Sequence, residues 1–351
     1  MKTDVLIIGA GLCGLALARS LTAQGRDVMI AEARDRVGGR ILSVETQGSF
    51  FDMGPAWFWP GQPRIVQLVN ELGLEKFDQH ADGIQSYEDE SGRVQRGQGY
   101  ASMQESWRLK GGLGRLTQTL AEQLRPDTVR LGAKVTALRQ TGGTVIATLS
   151  ENETITARQV VLALPPRIAA EISFVPALPA PALNAMEGVA TWMAGQAKAV
   201  AVYDRPFWRN EGLSGDAISR HGPMVEIHDA SPASGGPYAL FGFIGVPPGA
   251  RQDTTGLRAA LLAQLERLFG PSAAQPVALH VKDWAFDGNT STKADRTPDD
   301  AHPRYGLPGA MKNLWNNNLA LSGTETAAMF GGYLEGALEA AEDALKWLNH
   351  E

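Results

Sequence analysis

The chain has 351 residues, of which 44% are hydrophobic and 20% are charged. This length exceeds the usual size of one hydrophobic core and the composition is that of a globular protein, so we expect two domains. Acidic residues outnumber basic ones by 38 to 32, which gives a formal net charge of -6, and no basic block occurs. Nucleic acid is therefore excluded as an expected partner.

The chain contains a single cysteine, Cys13, which excludes a disulfide within the chain. This fits a reducing compartment, and we expect a cytoplasmic protein. Too few residues precede the first apolar run for a secretory signal, and no stretch reaches the roughly 18 apolar residues of a membrane span, so no membrane partner is expected. The six histidines show no metal-ligand spacing, and we expect no metal.

The first thirty residues predict a strand, a helix and a second strand. Val5–Ile8 and Val28–Ala31 are short continuous apolar runs, typical of strands that are buried in a parallel sheet. Between them, apolar residues recur at helical spacing from Leu12 to Leu21, and Gly25 is suited to end this helix. The pattern is that of a βαβ unit.

Gly9, Gly11 and Gly14 form a GxGxxG pattern between the first strand and the helix. Such glycines permit a tight turn, let the backbone approach a pyrophosphate, and let helix and strand pack closely. Glu32 ends the second strand 18 positions after Gly14, where a carboxylate can bind both ribose hydroxyls and repel a 2′-phosphate. The unit disfavours NADP and leaves NAD and FAD open. Cys13, on the first helical turn, is interpreted as a small buried side chain rather than a reactive thiol.

The next segment contains Arg36-Val37-Gly38-Gly39-Arg40, a much rarer pattern. It resembles the flavin amine oxidase family, which includes the monoamine and polyamine oxidases. The resemblance implies that both arginines lie near the diphosphate and the flavin of FAD, where a guanidinium offers a fixed fork of donors to phosphate oxygens.

The likeness continues in family order through 51–57, 70–74, 110–114 and 321–327 to the predicted start of the last helix at 332–337. It implies contacts with FAD for Gly9, Gly11, Gly14, Glu32, Arg34, Arg36, Gly38, Gly39, Arg40, Met53, Gly54, Pro55, Ala56, Val135, Trp284, Gly323, Thr324, Glu325 and Ala327. Because these residues come from both ends of the chain, the FAD-binding domain is predicted to be discontinuous.

The resemblance implies an α/β fold with a Rossmann-like FAD-binding domain of the glutathione reductase and amine oxidase type. We assign residues 1–77, 109–188 and 285–351 to this domain, and 78–108 and 189–284 to a second, mostly antiparallel α+β substrate domain. The apolar patterns predict strands at 129–138, 160–166, 199–203, 238–245 and 277–284, and helices at 116–124 and 255–269.

Lys198 interrupts an apolar run from Ala197 to Val202 and is the first candidate catalytic residue. The resemblance implies that it holds a water against the flavin nitrogen that receives hydride. A partly buried ammonium stabilises negative charge on reduced flavin and assists the reduction of oxygen. The alternative is a lysine that points to solvent from one face of a strand.

Tyr333 matches one wall of the family's aromatic cage, which attracts the substrate amine, although a simply packed tyrosine is the alternative. The second wall should follow Trp284, but residues 288–295 include no aromatic side chain, so Trp57 and Phe330 are candidates for the substrate pocket. The same segment lacks the cysteine that tethers flavin in mitochondrial monoamine oxidases. We therefore predict that FAD is bound non-covalently.

The segment between Gln95 and Lys110 is short where family members carry a long helical insert. We therefore expect a more open substrate site, or one that a partner subunit covers in a homodimer. No second GxGxxG follows a strand, which disfavours a nicotinamide site.

The resemblance implies oxidation of a small-molecule amine: hydride passes to flavin, oxygen is reduced to hydrogen peroxide, and the imine is hydrolysed. Two alternatives remain open, a desaturase or dehydrogenase of the phytoene desaturase or protoporphyrinogen oxidase kind, and a non-catalytic flavin-binding protein. Lys198 together with Glu325 favours the oxidase.

Overall fold

The structure is a computed structural model that describes residues 1–297 and 301–349. In chain order its strands and helices are β1 (Lys2–Ile8), α1 (Leu12–Ala23), β2 (Val28–Ala31), β3 (Ser43–Thr46), β4 (Ser49–Asp52), α2 (Pro63–Glu71), β5 (Lys76–Asp78), β6 (Ile84–Glu88), β7 (Val94–Arg96), β8 (Trp107–Leu109), α3 (Gly114–Glu122), β9 (Val129–Arg130), β10 (Val135–Thr141), β11 (Thr144–Leu149), β12 (Thr154–Leu162), α4 (Pro166–Ala169), β13 (Ser173–Val175), α5 (Ala180–Gly188), β14 (Ala197–Tyr203), α6 (Phe207–Asn210), β15 (Leu213–Ser219), β16 (Met224–Asp229), β17 (Tyr238–Ile244), α7 (Thr254–Phe269), β18 (Ala278–Asp283), β19 (Leu319–Leu321) and α8 (Leu334–Asn349).

The first large sheet confirms the predicted βαβ unit. Its strands lie in the order β13-β10-β11-β12-β1-β2-β9, and β19 pairs with β12. β1 is parallel to β2 and β12, and its alternate side chains enter two different cores. Val5 and Ile7 pack with α1 and α8, whereas Leu6 and Ile8 pack with β10 and β11. Burial on both faces explains why β1 is apolar from Val5 to Ile8.

The second large sheet has the order β18-β14-β17-β16-β15-β6-β7. Its neighbours are antiparallel except for β15 and β6, which confirms the prediction of a mostly antiparallel second sheet. Helix α7 packs on one face through Leu261 and Leu265. The helix begins after Asp253, whose carboxylate accepts hydrogen bonds from the N–H groups of Thr255 and Gly256. The other face is left for the functional site.

Three predicted strands have different bounds in the structure. The strand predicted at 129–138 is wrong as one element, because Gly132 takes a positive φ of 67° and turns the chain between β9 and β10. The strand predicted at 160–166 is β12, which ends at Leu162, and Pro166 then opens α4. β18 ends at Asp283, and Trp284 begins a short 3-10 turn.

The predicted domain boundaries remain a prediction, but the two sheets use separate stretches of chain. Strands of the first sheet lie within 2–31, 129–175 and 319–321, and those of the second within 84–96 and 197–283. The last predicted segment, 285–351, includes residues 298–300, 350 and 351, which lie outside the described part. Among the described helices, none combines the length and apolar character needed to cross a bilayer.

Candidate active site

A cavity of about 680 Å³ lies between the two sheets and is in the size range of cofactor and substrate sites. The predicted site residues that line it are Gly9, Gly11, Glu32, Arg34, Gly38, Gly39, Arg40, Gly54, Pro55, Ala56, Trp57, Val135, Lys198, Trp284, Gly323, Thr324 and Tyr333. The predicted residues outside this lining are Gly14, Arg36, Met53, Glu325, Ala327 and Phe330. Residues far apart in sequence are thus brought to one cavity.

The turn from β1 into α1 forms one wall of the cavity. Gly9 has a positive φ of 108°, and a Cβ there would lie 2.6 Å from the carbonyl oxygen of Ala163. A Cβ on Gly14 would lie 2.1 Å from the carbonyl oxygen of Gly9, which shows why the helix can pack directly on the turn. Gly11 faces open space. No side chain caps the N-terminus of α1, so its free N–H groups can bind an anion.

Glu32 and Arg34 lie where β2 ends. Glu32 is buried and accepts hydrogen bonds from the N–H groups of Ala10, at 2.7 Å, and Arg34, at 2.9 Å. The guanidinium of Arg34 donates to Asp287 at 2.5 Å and to Thr290 at 2.8 Å. The carboxylate is thereby held at the cavity edge, and Arg34 joins this edge to a segment of distant sequence.

The two arginines of the Arg-x-Gly-Gly-Arg pattern differ in position. Arg36 donates to the carbonyl oxygens of Val37, Gly39 and Ile41 at 2.9–3.1 Å. Burial lowers the pKa of this guanidinium. Arg36 therefore shapes the turn from behind and does not line the cavity, unlike Arg40, and its position near FAD stays a prediction.

Arg40 is paired with Glu325, a fully buried carboxylate. The two N–O distances are 2.5 and 3.1 Å, a bidentate pair that joins the first turn to the C-terminal part of the chain. Burial disfavours the charged guanidinium, but the Glu325 carboxylate outweighs this effect and raises the pKa of Arg40. Glu325 therefore keeps a permanent cation at the cavity without lining it.

The other predicted residues outside the lining have structural positions. The indole N–H of Trp284 donates to the carbonyl oxygen of Met53 at 2.9 Å. Ala327 is fully buried in the core that contains α1 and α8. Phe330 is only partly buried and does not line the cavity, and its contact with the substrate stays a prediction.

Lys198 lies on β14 and points into the cavity rather than to solvent. Its side chain is buried, and Nζ donates to the carbonyl oxygen of Gly54 at 2.5 Å. Nζ also lies 5.2 Å from the ring centre of Phe243 and 5.7 Å from that of Phe241. Burial lowers the pKa of Lys198 to about 8, against an opposing effect of the Asp52 carboxylate. The sequence left a solvent-facing lysine open, and the structure excludes it.

Asp52 lies behind Lys198 in the same interior. Burial raises its pKa to about 6, although hydrogen bonds from the Ser43 hydroxyl and the Leu113 N–H lower it. At neutral pH Asp52 is therefore mostly ionised and supports the positive charge on Lys198.

Aromatic side chains line the cavity near Lys198. Trp57 packs edge-on against Phe241 with ring centres 5.2 Å apart, and its N–H donates to Gln79 at 2.8 Å. His228 underlies Trp57 at 5.3 Å and is held between Asp216 and Glu226, which raise its pKa despite burial. The rigid support of Trp57 gives this end a fixed apolar wall.

The structure adds an aromatic rim that the sequence does not reveal. Tyr333 is 41% exposed and stacks on His302, with ring centres 5.3 Å apart and planes 16° apart. His302 also lies 4.8 Å from Trp192, which lines the cavity. Met193 beside it has a positive φ of 60°, a conformation that non-glycine residues take mainly at constrained sites. Further lining residues that lacked a sequence signal are Trp59, Gln62 and Met103.

The Cys13 thiol also lines the cavity, but its chemistry is suppressed. Sγ lies 3.1 Å from the Ser322 hydroxyl oxygen, and burial raises the pKa of the thiol to about 12. The group is thus neutral at physiological pH, as the reading of a small buried side chain predicts. Within residues 1–297 and 301–349, no group of three or more His, Cys, Asp or Glu side chains is placed to hold a metal ion.

Comparisons with known proteins agree on one family. The sequence model of the family described as "Flavin containing amine oxidoreductase" matches residues 12–101 and 95–344. Putrescine oxidase of Kocuria rosea is 26% identical in an alignment 404 positions long, gaps included, covering 82% of this chain and 83% of the relative. The flavin-containing amine oxidase B of Sus scrofa is 24% identical in an alignment of 461 positions, covering 99% of this chain and 86% of the relative.

Solved structures share the fold. Putrescine oxidase bound to putrescine superposes with a TM-score of 0.84 at 21% identity, covering 100% of both chains. Cyclohexylamine oxidase of Brevibacterium oxydans IH-35A has a TM-score of 0.82 at 20% identity, covering 99% of this chain and 98% of that one.

The comparisons also locate the shortened segment. The two matched parts of the family meet at 95–101, between β7 and β8. Residues 97–106 form a loop without helix or strand, and its Met103 lines the cavity. The neighbouring Ser102 donates a hydrogen bond to Glu226 of the second sheet. This short loop lies at the position where the sequence predicted that the helical insert of other family members is missing.

Proposed function

Because this chain belongs to the flavin-containing amine oxidoreductase family and is an amine-oxidising flavoenzyme, we propose that it binds FAD non-covalently and uses oxygen as electron acceptor. The observation that carries this proposal is the position of Lys198. A buried lysine of the second sheet lines the same cavity as the Gly9 turn and Glu32 of the first sheet. One cavity therefore holds both the residues suited to bind a dinucleotide and a cation suited to flavin chemistry.

The residues present fit FAD. The Gly9–Gly11 turn, the uncapped N-terminus of α1 and Arg40 offer donors to a diphosphate, and Glu32 is placed for ribose hydroxyls. When bound, FAD would accept a hydride from the carbon that bears the amine. Gly54 and Lys198 then form the wall nearest the reacting end, by their shared hydrogen bond.

Non-covalent binding is supported by the state of the only cysteine. Cys13 is a neutral, buried thiol that is already hydrogen-bonded, and thiolate is the reactive form. Acid precipitation tests this point: flavin should remain in the supernatant, and flavin in the pellet would contradict it.

Lys198 can hold a proton at the end of the cavity that receives the substrate. With a pKa of about 8 it is mostly protonated at neutral pH, and its charge favours the reduced, anionic state of a neighbouring flavin. The side chain is buried beside the rings of Phe241 and Phe243, and burial away from water strengthens this electrostatic effect.

The lining near Lys198 favours an amine with an apolar body. Trp57, Trp192 and Tyr333 offer faces that attract a cationic amine and pack its carbon chain. In the described part, the carboxylates that line the cavity are Glu32 and Glu171. Glu32 follows β2, and Glu171 precedes Ile172, which belongs to the same hydrophobic core as Val135. We propose that Trp192 takes the place of the second cage wall.

A screen of amines by anaerobic flavin reduction tests the function. Mixing with aliphatic and arylalkyl primary amines should bleach the yellow flavin, and admitting air should restore the colour with one hydrogen peroxide formed for each amine oxidised. Bleaching without peroxide would support the desaturase or dehydrogenase alternative. No bleaching by any amine would support a non-catalytic flavin-binding protein.

We also propose a cytoplasmic homodimer. Tyr333 lines the cavity and is 41% exposed, and a partner subunit would restrict access there. The single cysteine is compatible with a reducing compartment. Light scattering of the holoprotein should give twice the mass of the chain, and the mass of one chain would contradict the dimer.

A further inference from the structure

The segment 284–296, which follows β18, contributes to the cavity lining beside the end of β2. We define it as the strap. Trp284 begins it with the hydrogen bond to Met53, and Asn289 and Thr290 line the cavity together with Glu32 and Arg34. The strap and the end of β2 therefore form one part of the cavity wall.

Asp287 fastens the strap to both sheets. Its Oδ1 accepts from Arg34, which follows β2, at 2.5 Å, and its Oδ2 accepts from Lys282 of β18 at 2.7 Å. The side chains of Arg34 and Asp287 are only 13% and 11% exposed. Although burial opposes ionisation, Lys282 and Arg34 hold the pKa of Asp287 below its usual range. The carboxylate is thus charged and bonded on both oxygens at neutral pH.

The geometry of the strap also depends on Asp287 locally. Its carbonyl oxygen accepts from the N–H groups of Thr290, at 2.9 Å, and Ser291, at 2.8 Å. Its carboxylate accepts from the N–H of Asn289 at 3.2 Å. The guanidinium of Arg34 then closes the arrangement through the Thr290 hydroxyl at 2.8 Å. A single turn is therefore built around Asp287 and docked on Arg34.

We propose that the Arg34–Asp287 pair is a latch that controls the release of FAD. The pair joins the strap to the side of the cavity where Glu32 is placed for the cofactor, so opening the pair would loosen this wall and let FAD leave. Asp287 acts through Arg34 and the strap and is a positioning residue. This inference rests on the proposed non-covalent binding of FAD.

The test measures the dissociation rate of FAD by the fluorescence that free FAD regains after dilution of the holoprotein. Asp287→Asn should release FAD about tenfold faster, because truncating one partner of a mostly buried charge pair acts on the dissociation rate. Asp343→Asn is the matched control: it removes a carboxylate paired with Lys346 that is 59% exposed, and the rate should stay at that of the wild type.

A double-mutant cycle separates a latch from general damage. Arg34→Met should also speed release, and Arg34→Met with Asp287→Asn should be no faster than the faster single variant. Effects that multiply in the double variant, or an Asp287→Asn rate equal to that of Asp343→Asn, would overturn the latch. Thermal unfolding of the apoproteins controls for folding, and Thr290→Val gives a milder variant with an expected increase of about threefold, whose absence would count against the latch.

The outcomes distinguish this inference from the proposal beneath it. If acid leaves the flavin attached to the wild-type chain, non-covalent binding and the latch are both wrong. If acid releases the flavin but Asp287→Asn leaves its dissociation rate unchanged, only the latch is wrong.

Discussion

The two ends of the cavity are built by different means. At the end of β1 and β2, backbone turns and one buried carboxylate line the cavity, and they come from a single short stretch of chain. Around Lys198, the lining consists of side chains from distant segments, among them Trp57, Met103, Trp192 and Tyr333. Substitutions at the first end should therefore affect folding and cofactor binding, and those at the second should affect substrate and oxygen.

The largest expected effect is a loss of stability at Gly14, which tests whether the first end of the cavity depends on close backbone packing. Gly14→Ala places a Cβ 2.1 Å from the carbonyl oxygen of Gly9 and should lower the free energy of unfolding by about 3 kcal/mol. Gly11→Ala meets open space, and the stability of the apoprotein should change by less than about 0.5 kcal/mol. Urea denaturation of the apoproteins checks both values, and equal losses would show that the turn is not sterically constrained.

The pair of Arg40 and Glu325 extends the same test to distant sequence. Glu325→Gln leaves the guanidinium partly buried without its carboxylate and should cost about 2 kcal/mol of unfolding free energy. Glu342→Gln removes a carboxylate that is 51% exposed, and should cost less than about 0.5 kcal/mol. Denaturant midpoints of the two variants measure these losses of stability. A loss at Glu325 no larger than at Glu342 would mean that the buried pair does not hold the cavity wall.

The sequence predicts the first end well because its signals are local. Gly9, Gly11 and Gly14 each meet a steric requirement of one turn, and such a requirement is visible in a short pattern. The failures there are also local: the strand predicted at 129–138 overlooked that Gly132 can turn the chain. The pattern also does not reveal that Arg36 donates to backbone carbonyls, because a guanidinium can bind these as readily as a phosphate.

The second end is less predictable because tertiary contacts build it. Lys198 could be recognised from the sequence by two signals. It is a charged residue within an apolar run, and it matches a lysine of the family. Trp192 lies in a turn between α5 and β14, and Met103 lies in an irregular loop, so neither follows a helical or strand period. Phe330 was a candidate because residues 288–295 supply no aromatic side chain, but it lies before α8 and does not line the cavity.

A smaller effect is expected at the rim of the substrate end. Tyr333→Ala removes the ring that stacks on His302 and should raise KM for an arylalkyl amine about tenfold, with little change in stability. Tyr100→Ala is the matched control, because Tyr100 is 69% exposed and does not line the cavity. Steady-state kinetics compares the two. If both variants keep the wild-type KM, Tyr333 is a packed surface tyrosine.

The smallest expected effect is the pH dependence of flavin reoxidation. Burial lowers the pKa of Lys198 to about 8, so the ammonium is present below this pH and lost above it. Reoxidation by air should therefore slow by a few fold as pH rises from about 7 to 9, with its midpoint near pH 8. Stopped-flow absorbance at several pH values measures the profile. A rate that rises over this interval would contradict the assigned role of the charge.

The central claim is that the charge on Lys198 speeds the reoxidation of reduced FAD by oxygen. The most direct measurement is the rate at which air reoxidises amine-reduced flavin in Lys198→Met, with Lys346→Met as a control at an exposed pair. We predict that Lys198→Met is still reduced by amine but is reoxidised at least about a hundredfold more slowly than Lys346→Met and the wild type. Reoxidation of Lys198→Met at the wild-type rate would contradict the claim.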